Sequence, residues 1–208
     1  MMLTAADALA RLSEGNRRFV ANKTVQTGFS NTARRIELVD SQEPFAIVLG
    51  CSDSRVPAEL VFDQGFGDLF VIRVAGNIVA PSQVGSVEFA ASRFGTPLVV
   101  VMGHSQCGAV VATLEELQGR ATTASKNLRS IVDRVRPSVE PLLVNRATDD
   151  NGALVREAVR ANVRASVNHL RHGSELLERL IIEERLVVVG AEYSLETGMV
   201  DFFDHMKR

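Results

Sequence analysis

The stretch "PLVVVMGHSQCGA", residues 97–109, decides the fold because an unbroken apolar run leads directly into a polar turn. Similar runs are "FAIVLG" (45–50), "LFVIRV" (69–74) and "RLVVVGA" (185–191). Short β-branched runs without alternation are typical of strands buried on both faces of a parallel sheet. The stretch therefore predicts a buried parallel strand that is followed at once by a histidine and a cysteine.

Helical patterns separate these runs. They lie near residues 4–21, 33–39, 58–62, 81–95, 107–119, 126–136 and 152–184, with a break expected at Gly173. The tail "EYSLETGMVDFF" (192–203) predicts a turn and a short edge strand. We therefore expect one α/β domain over residues 1–208, with an N-terminal helical arm (1–43), an α/β core (44–208) whose mostly parallel central sheet is flanked by helices, and a short C-terminal edge strand.

Composition excludes several classes of function. The chain has 208 residues and a formal net charge of −2, so it lacks the basic footprint of a protein that binds nucleic acid or anionic membranes. No apolar run approaches the roughly 18 residues that a membrane span needs, and the N-terminus has no apolar signal core. We expect a soluble cytoplasmic protein with no nucleic-acid partner and no membrane contact.

The chain's two cysteines lie in two unusual loops. Cys51 opens "CSDSR" (51–55) after one predicted strand, and Cys107 ends "HSQC" (104–107) after another. Because the carboxyl ends of parallel strands share one edge of the sheet, where such sheets bind ligands, the two loops can meet there. A disulfide is not expected in a reducing compartment, which leaves metal ligation, redox chemistry or plain burial as interpretations of the thiols.

The pattern of residue types favours zinc. Thiolate and imidazole are zinc ligands, and three protein ligands with a free fourth position are typical of a catalytic ion that binds water. The three candidates are Cys51, His104 and Cys107. Asp53 could orient the zinc-bound water while Arg55 holds that carboxylate ionised. Two thiolates neutralise the charge of the ion, so the water should be only weakly acidified and activity should rise with pH.

Two glycines accompany the histidine and the second cysteine. Gly108 opens a predicted helix, where its backbone N–H can face a developing anion with no side chain in the way. Gly103 is expected to let the strand turn sharply just before His104.

The combination of "CSDSR" (51–55) with "HSQCG" (104–108) resembles the β-class carbonic anhydrases, and the resemblance extends over most of residues 4–204. It implies reversible, zinc-dependent hydration of CO2 to bicarbonate and a proton, by attack of a zinc-bound hydroxide. One Zn²⁺ per chain on Cys51, His104 and Cys107 is implied. Asp53 and Arg55 become the catalytic dyad, with Asp53 able to act as a fourth ligand in a closed state.

The same resemblance implies a substrate pocket at a subunit boundary. Gln42 matches a glutamine that hydrogen-bonds the substrate, Phe70 matches an apolar wall, and Phe89 stands where relatives have a tyrosine. The implied assembly is a homodimer or a higher even oligomer, with the N-terminal helix lying on the partner.

A second, inhibitory bicarbonate site is not implied. Arg73 and Tyr193 match two members of the triad that binds it in some relatives, but Val48 replaces the tryptophan and the chain contains no tryptophan.

Two other functions stay open at this point. A hydrolase of carbonyl sulfide or carbon disulfide could use the same scaffold, with differences in its loops and pocket entrance. A zinc-thiolate redox sensor would form a disulfide between Cys51 and Cys107 and release zinc, but it would not need the pair of Asp53 and Arg55.

Overall fold

The computed structural model describes residues 3–25, 32–122, 125–144 and 150–204, so both ends of the expected domain lie outside the described residues. Within them five strands form one sheet: β1 Ala46–Gly50, β2 Leu69–Arg73, β3 Leu98–His104, β4 Val187–Tyr193 and β5 Val200–Asp204. The strand order is β2-β1-β3-β4-β5, with four parallel strands and β5 antiparallel to β4. The predicted, mostly parallel sheet with a C-terminal edge strand is confirmed.

Helices connect and cover the strands. They are α1 Ala5–Val20, α2 Thr32–Glu37, α3 Ala58–Val61, α4 Pro81–Arg93, α5 Gly108–Leu117, α6 Lys126–Val144, α7 Asn151–His172 and α8 Glu175–Ile182, and a 3₁₀ turn, Ala75–Asn77, follows β2. The predicted break at Gly173 is confirmed, because Ser174 caps the start of α8. In the described ranges no helix is both long enough and apolar enough to span a bilayer.

Helix α6 is longer than its sequence pattern predicts. Proline lacks the backbone N–H of a helix interior, so the pattern predicts an end near residue 136. The helix instead continues through Pro137 and Pro141 to Val144. Val139 is fully buried in the same apolar cluster as Cys107. Burial of this helix face outweighs the lost backbone hydrogen bonds, and the predicted end was wrong.

The alternation of side chains along β1 and β3 sets the register of the sheet. Ile47 points to the face covered by α4, α7 and α8, whereas Val48 points to the face covered by α1 and α3. A slip of one residue would exchange the two faces, so the pairing of β1 with β3 is strongly specified. Gly50 pairs with Met102, and the two cysteine-bearing loops therefore leave the sheet at the same edge.

Helix α1 packs on the sheet of its own chain. Thr4 and Asp7 form a reciprocal capping box at its start. Ala8 and Leu12 are fully buried against the face of the sheet that also holds Val48. The resemblance implies that this helix lies on a partner subunit, and for its outer, exposed face that contact stays a prediction.

Gly103 does not turn the chain, because β3 continues through it to His104. A Cβ at this position would lie 2.6 Å from Cγ2 of Val163 and 3.2 Å from Cγ1 of Val159. The expected role in a sharp turn is therefore wrong. The glycine instead allows α7 to pack directly on the end of β3, which holds the helix beside the histidine.

We expect Gly103→Ala to lower the free energy of unfolding by about 1–3 kcal/mol, because the added methyl must displace Val163 or shift α7. Equilibrium unfolding in urea measures the change. Gly85→Ala is the matched control: its Cβ would meet nothing within 4 Å inside α4, and it should stabilise the protein by about 0.5–1 kcal/mol. Wild-type stability of Gly103→Ala would contradict the close packing.

Candidate metal centre

Three side chains from the two loops converge at the carboxyl edge of the sheet. Cys51 follows β1, His104 ends β3, and Cys107 directly precedes α5. One ligand atom from each lies within 4.8 Å of the others, and all three residues are buried. The described residues therefore hold a compact set of two sulfurs and one imidazole that could bind a metal ion.

The histidine presents a free lone pair to this set. Nδ1 of His104 lies 2.9 Å from the carbonyl oxygen of Ser105. Because a carbonyl only accepts hydrogen bonds, Nδ1 carries the proton, and in the neutral ring Nε2 then holds a free lone pair. Nε2 is buried and has no hydrogen-bond partner among the described residues. An unsatisfied buried nitrogen is unfavourable, and a metal ion would satisfy it.

The two thiols act as a pair. The Cys107 thiol donates to the sulfur of Cys51, and this bond lowers the pKa of Cys51 to about 4. The same bond, together with burial, raises the pKa of Cys107. The backbone N–H of Gly76 also donates to Sγ of Cys51, at 3.4 Å. The centre thus favours one thiolate beside a protonated neighbour, and a bound cation would displace the shared proton.

These donors fit zinc. Zn²⁺ is commonly held by cysteine sulfur and histidine nitrogen, whereas Mg²⁺ and Ca²⁺ prefer oxygen ligands. Two sulfurs, one lone-pair-bearing imidazole and no carboxylate in the set match the first preference. With three protein ligands, a tetrahedral ion would keep one position for another molecule.

A clamped carboxylate stands beside the cluster. Arg55 donates from Nε to Oδ1 of Asp53 at 2.9 Å and from a terminal nitrogen to Oδ2 at 2.7 Å. These bonds hold the pKa of Asp53 well below its usual range, so the carboxylate is ionised at any working pH. Oδ2 lies 3.9 Å from Nε2 of His104, which is too long for a hydrogen bond. The closed state, in which Asp53 becomes a ligand, stays a prediction.

Arg73 is a site residue that lies outside both sequence motifs, 51–55 and 104–108. It ends β2, and its side chain donates to the carbonyl oxygens of Cys51 at 3.0 Å and Asp53 at 2.6 Å. In the sequence, the only indication of this role is that Arg73 is a charged residue at the end of an apolar run. In the structure, Arg73 pairs in register with Gly50, the residue before Cys51. Arg73 fixes the backbone that carries both a candidate ligand and the carboxylate.

Gly108 is the first residue of α5 and is exposed. A Cβ there would meet nothing within 4 Å, so packing inside this chain does not require a glycine. Its N–H lies among those at the start of a helix that have no intrahelical acceptor. A role in binding an anion stays a prediction.

Three of the expected substrate-binding residues, Gln42, Phe70 and Phe89, lie away from this cluster in the same chain, whereas Gly108 directly follows Cys107. Phe70 pairs with Ile47, four residues or about 13 Å before the cysteine that follows β1. The ring of Phe89 lies 6.3 Å from that of Phe70, and the ring of Phe94 lies 6.2 Å from it. Gln42 is exposed and lines a surface cavity of about 450 Å³ together with Phe94. These three residues therefore lie around Phe94, toward the amino-terminal ends of the parallel strands, whereas the cluster lies at their carboxyl ends.

We expect the purified chain to bind one zinc ion, and Cys107→Ala to weaken that binding by more than about 100-fold, because a direct ligand is lost. Asp53→Asn removes only a neighbouring charge and should stay within about tenfold of the wild type. Competition with a chromophoric chelator measures both affinities. Zinc retained by Cys107→Ala, or lost from Asp53→Asn, would contradict the assignment of ligands.

Comparisons with known proteins identify the family of the chain. The carbonic anhydrase family model matches residues 46–200. Carbonic anhydrase 2 of Mycobacterium tuberculosis is 39% identical over 195 residues, which cover 94% of this chain and 91% of that protein.

Two solved structures share the fold. A tetrameric β-carbonic anhydrase of Sordaria macrospora has a TM-score of 0.75 at 23% identity, covering 91% of this chain and 93% of its own. A Coccomyxa β-carbonic anhydrase in complex with acetazolamide has a TM-score of 0.71 at 25% identity, and the match covers 94% of this chain and 86% of the Coccomyxa chain. Because the family model matches residues 46–200 and the relative from Mycobacterium tuberculosis is 39% identical, the chain belongs to the carbonic anhydrase family, in its β class.

Proposed function

We propose that this chain catalyses the reversible hydration of CO2 to bicarbonate and a proton with one bound zinc ion. The observation that carries the proposal is the buried set of Cys51, His104 and Cys107 beside a carboxylate that an arginine clamps. Zinc bound by these three residues would supply the Lewis acidity that makes water a nucleophile at a workable pH. The 39% identity to a named carbonic anhydrase over nearly the whole chain supports the same reaction.

Asp53 and Arg55 orient the attacking water. Oδ1 of Asp53 accepts hydrogen bonds from both the backbone N–H and Nε of Arg55, whereas Oδ2 accepts one from a terminal nitrogen of Arg55. Oδ2 therefore keeps a lone pair that can accept a hydrogen bond from water and so direct the attack. Because the pKa of Asp53 is held well below its usual range, the carboxylate does not retain a proton. The proton released by the reaction therefore passes on to buffer, and the rise of the rate with pH does not come from Asp53.

The backbone at the start of α5 offers a hydrogen-bond donor for the substrate, the N–H of Gly108. The N–H of Gly108 lies next to the candidate ligand Cys107 and belongs to the positive end of a helix. A donor there would stabilise the negative charge that develops on the oxygen of the substrate. The absence of a side chain at this position leaves room for a small linear molecule.

The rate of CO2 hydration should be well above buffer for the zinc-loaded protein and should rise toward about pH 9. Asp53→Asn should keep zinc and lose about 100-fold in kcat/KM, because the water is no longer oriented. Asp68→Asn is the matched control, since Asp68 is equally exposed and pairs with Arg11 at 2.9 Å just before β2, at the other edge of the sheet. Stopped-flow spectrophotometry with a pH indicator gives the rates.

Two results would contradict the proposal. The first is a zinc-loaded protein that hydrates no CO2 but hydrolyses carbonyl sulfide or carbon disulfide. The second is a protein without hydration activity whose zinc is released reversibly when Cys51 and Cys107 are oxidised to a disulfide, which is the behaviour of a redox sensor.

We further propose that the substrate pocket is completed by a second copy of the chain, in a homodimer or a higher even oligomer. Gln42, Phe70 and Phe89 lie away from the metal cluster of their own chain, and Phe89 is 53% exposed although it is apolar. The resemblance implies a pocket at a subunit boundary, and the Sordaria macrospora protein is tetrameric.

Metal-binding thiols must stay reduced, which supports a cytoplasmic location for this chain.

Mixed oligomers test the shared pocket. Gln42→Ala should lower kcat/KM by about 3- to 10-fold, the effect of losing one hydrogen bond to the substrate. When Gln42→Ala and Asp53→Asn chains are co-expressed with different tags, a two-chain assembly should recover about half of the wild-type activity, because one of its sites is intact. If Gln42 served the metal of its own chain, both sites would stay defective and the activity would remain below about a fifth of the wild type, half of what Gln42→Ala retains by itself.

A further inference from the structure

We infer that Asn162 and Ser166 of α7 are positioning residues for the metal centre. They hold the 3₁₀ turn Ala75–Asn77 so that the amide of Gly76 donates to the sulfur of Cys51. This inference rests on the proposed zinc site and extends it to a helix that contributes none of the three ligands.

Both side chains bind the turn from the same side. Nδ2 of Asn162 donates to the carbonyl oxygen of Gly76 at 2.8 Å, and Oγ of Ser166 donates to the carbonyl oxygen of Asn77 at 3.0 Å. The two residues are four apart on α7 and therefore share one helix face. They are only 2% and 5% exposed, so water competes little for these bonds.

The turn has a conformation that needs such support. Gly76 and Asn77 both have positive φ, at 70° and 43°. For a residue with a side chain this region is unfavourable, and it persists only where the surroundings determine it. On another side the turn meets α5, because a Cβ at Gly76 would lie 3.0 Å from Cβ of Ala109. The turn is therefore confined between α5 and the two polar side chains of α7.

The position of the turn affects the candidate metal ligand Cys51 through one hydrogen bond. The N–H of Gly76 lies 3.4 Å from Sγ of Cys51. A donor to a thiolate takes up part of its negative charge and fixes the direction in which its remaining lone pairs point. Arg73 orients the backbone of this cysteine, and α7 orients its sulfur.

The test uses Co²⁺ as a spectroscopic probe in place of zinc. Asn162→Ala and Ser166→Ala should move the thiolate-to-cobalt absorption to longer wavelength, because a sulfur with a weaker hydrogen bond is a stronger electron donor. The Kd for zinc, measured by chelator competition, should rise about tenfold, as it does when a partner of a metal ligand is lost. Ser166→Thr keeps the hydroxyl and should restore the wild-type spectrum and Kd.

Thr96→Val is the matched control. Its buried hydroxyl donates to the carbonyl oxygen of Pro44 at 2.9 Å, at the edge of the sheet away from the metal centre. The variant removes the same kind of bond and should leave the cobalt spectrum and the Kd for zinc unchanged. If it changes them as much as Ser166→Ala does, the effect is one of general stability and the inference is wrong.

Two further results are decisive. Wild-type spectra and Kd values in folded Asn162→Ala and Ser166→Ala would overturn the positioning role while leaving the zinc site intact. If Asn162→Ala does not fold, Ser166→Ala decides by itself. A wild-type protein that binds Co²⁺ without thiolate absorption would overturn the zinc site, and the inference with it.

Discussion

The parallel pairing of β1 with β3 is the constraint on which the site depends. Its register places Gly50 opposite Met102, so the loops that follow the two strands start side by side. Both strands are buried on both faces, and a shift by one residue would exchange those faces. Two distant parts of the chain thus meet at one edge of the sheet with little freedom, and they bring together two thiols and an imidazole.

Polar groups at this end of the sheet are held in place by hydrogen-bond partners. Arg55 keeps Asp53 ionised, and Arg73 binds the carbonyl oxygens of the loop that carries it. Nε2 of His104 is an exception, as is Nδ2 of Asn77 in the turn after β2, since both atoms are buried without a hydrogen-bond partner among the described residues. A protein usually pairs such atoms, so an exception at the centre of a sulfur-rich cluster points to a cation.

Local patterns predicted the sheet and the candidate ligands well, because each depends on few residues. Apolar runs without alternation can be satisfied only between two layers, and a short loop keeps its cysteine near the end of its strand. The two predictions that were wrong, the end of α6 and the turn at Gly103, depend on packing against residues far away in the sequence. Helix α6 runs through two prolines because Val139 is buried, and Gly103 is required by Val163 of α7 rather than by a turn.

By itself the sequence determined the α/β class, the strands, the two loops and the donor types, since these follow from hydrophobic periodicity and side-chain chemistry. Tertiary packing decided which atoms meet. It placed Arg73 on the backbone of the metal loop, the amide of Gly76 on the sulfur of Cys51, and Gln42 away from the cluster of its own chain. Such contacts join residues brought together by strand register and helix packing, and no local pattern encodes the distance between them.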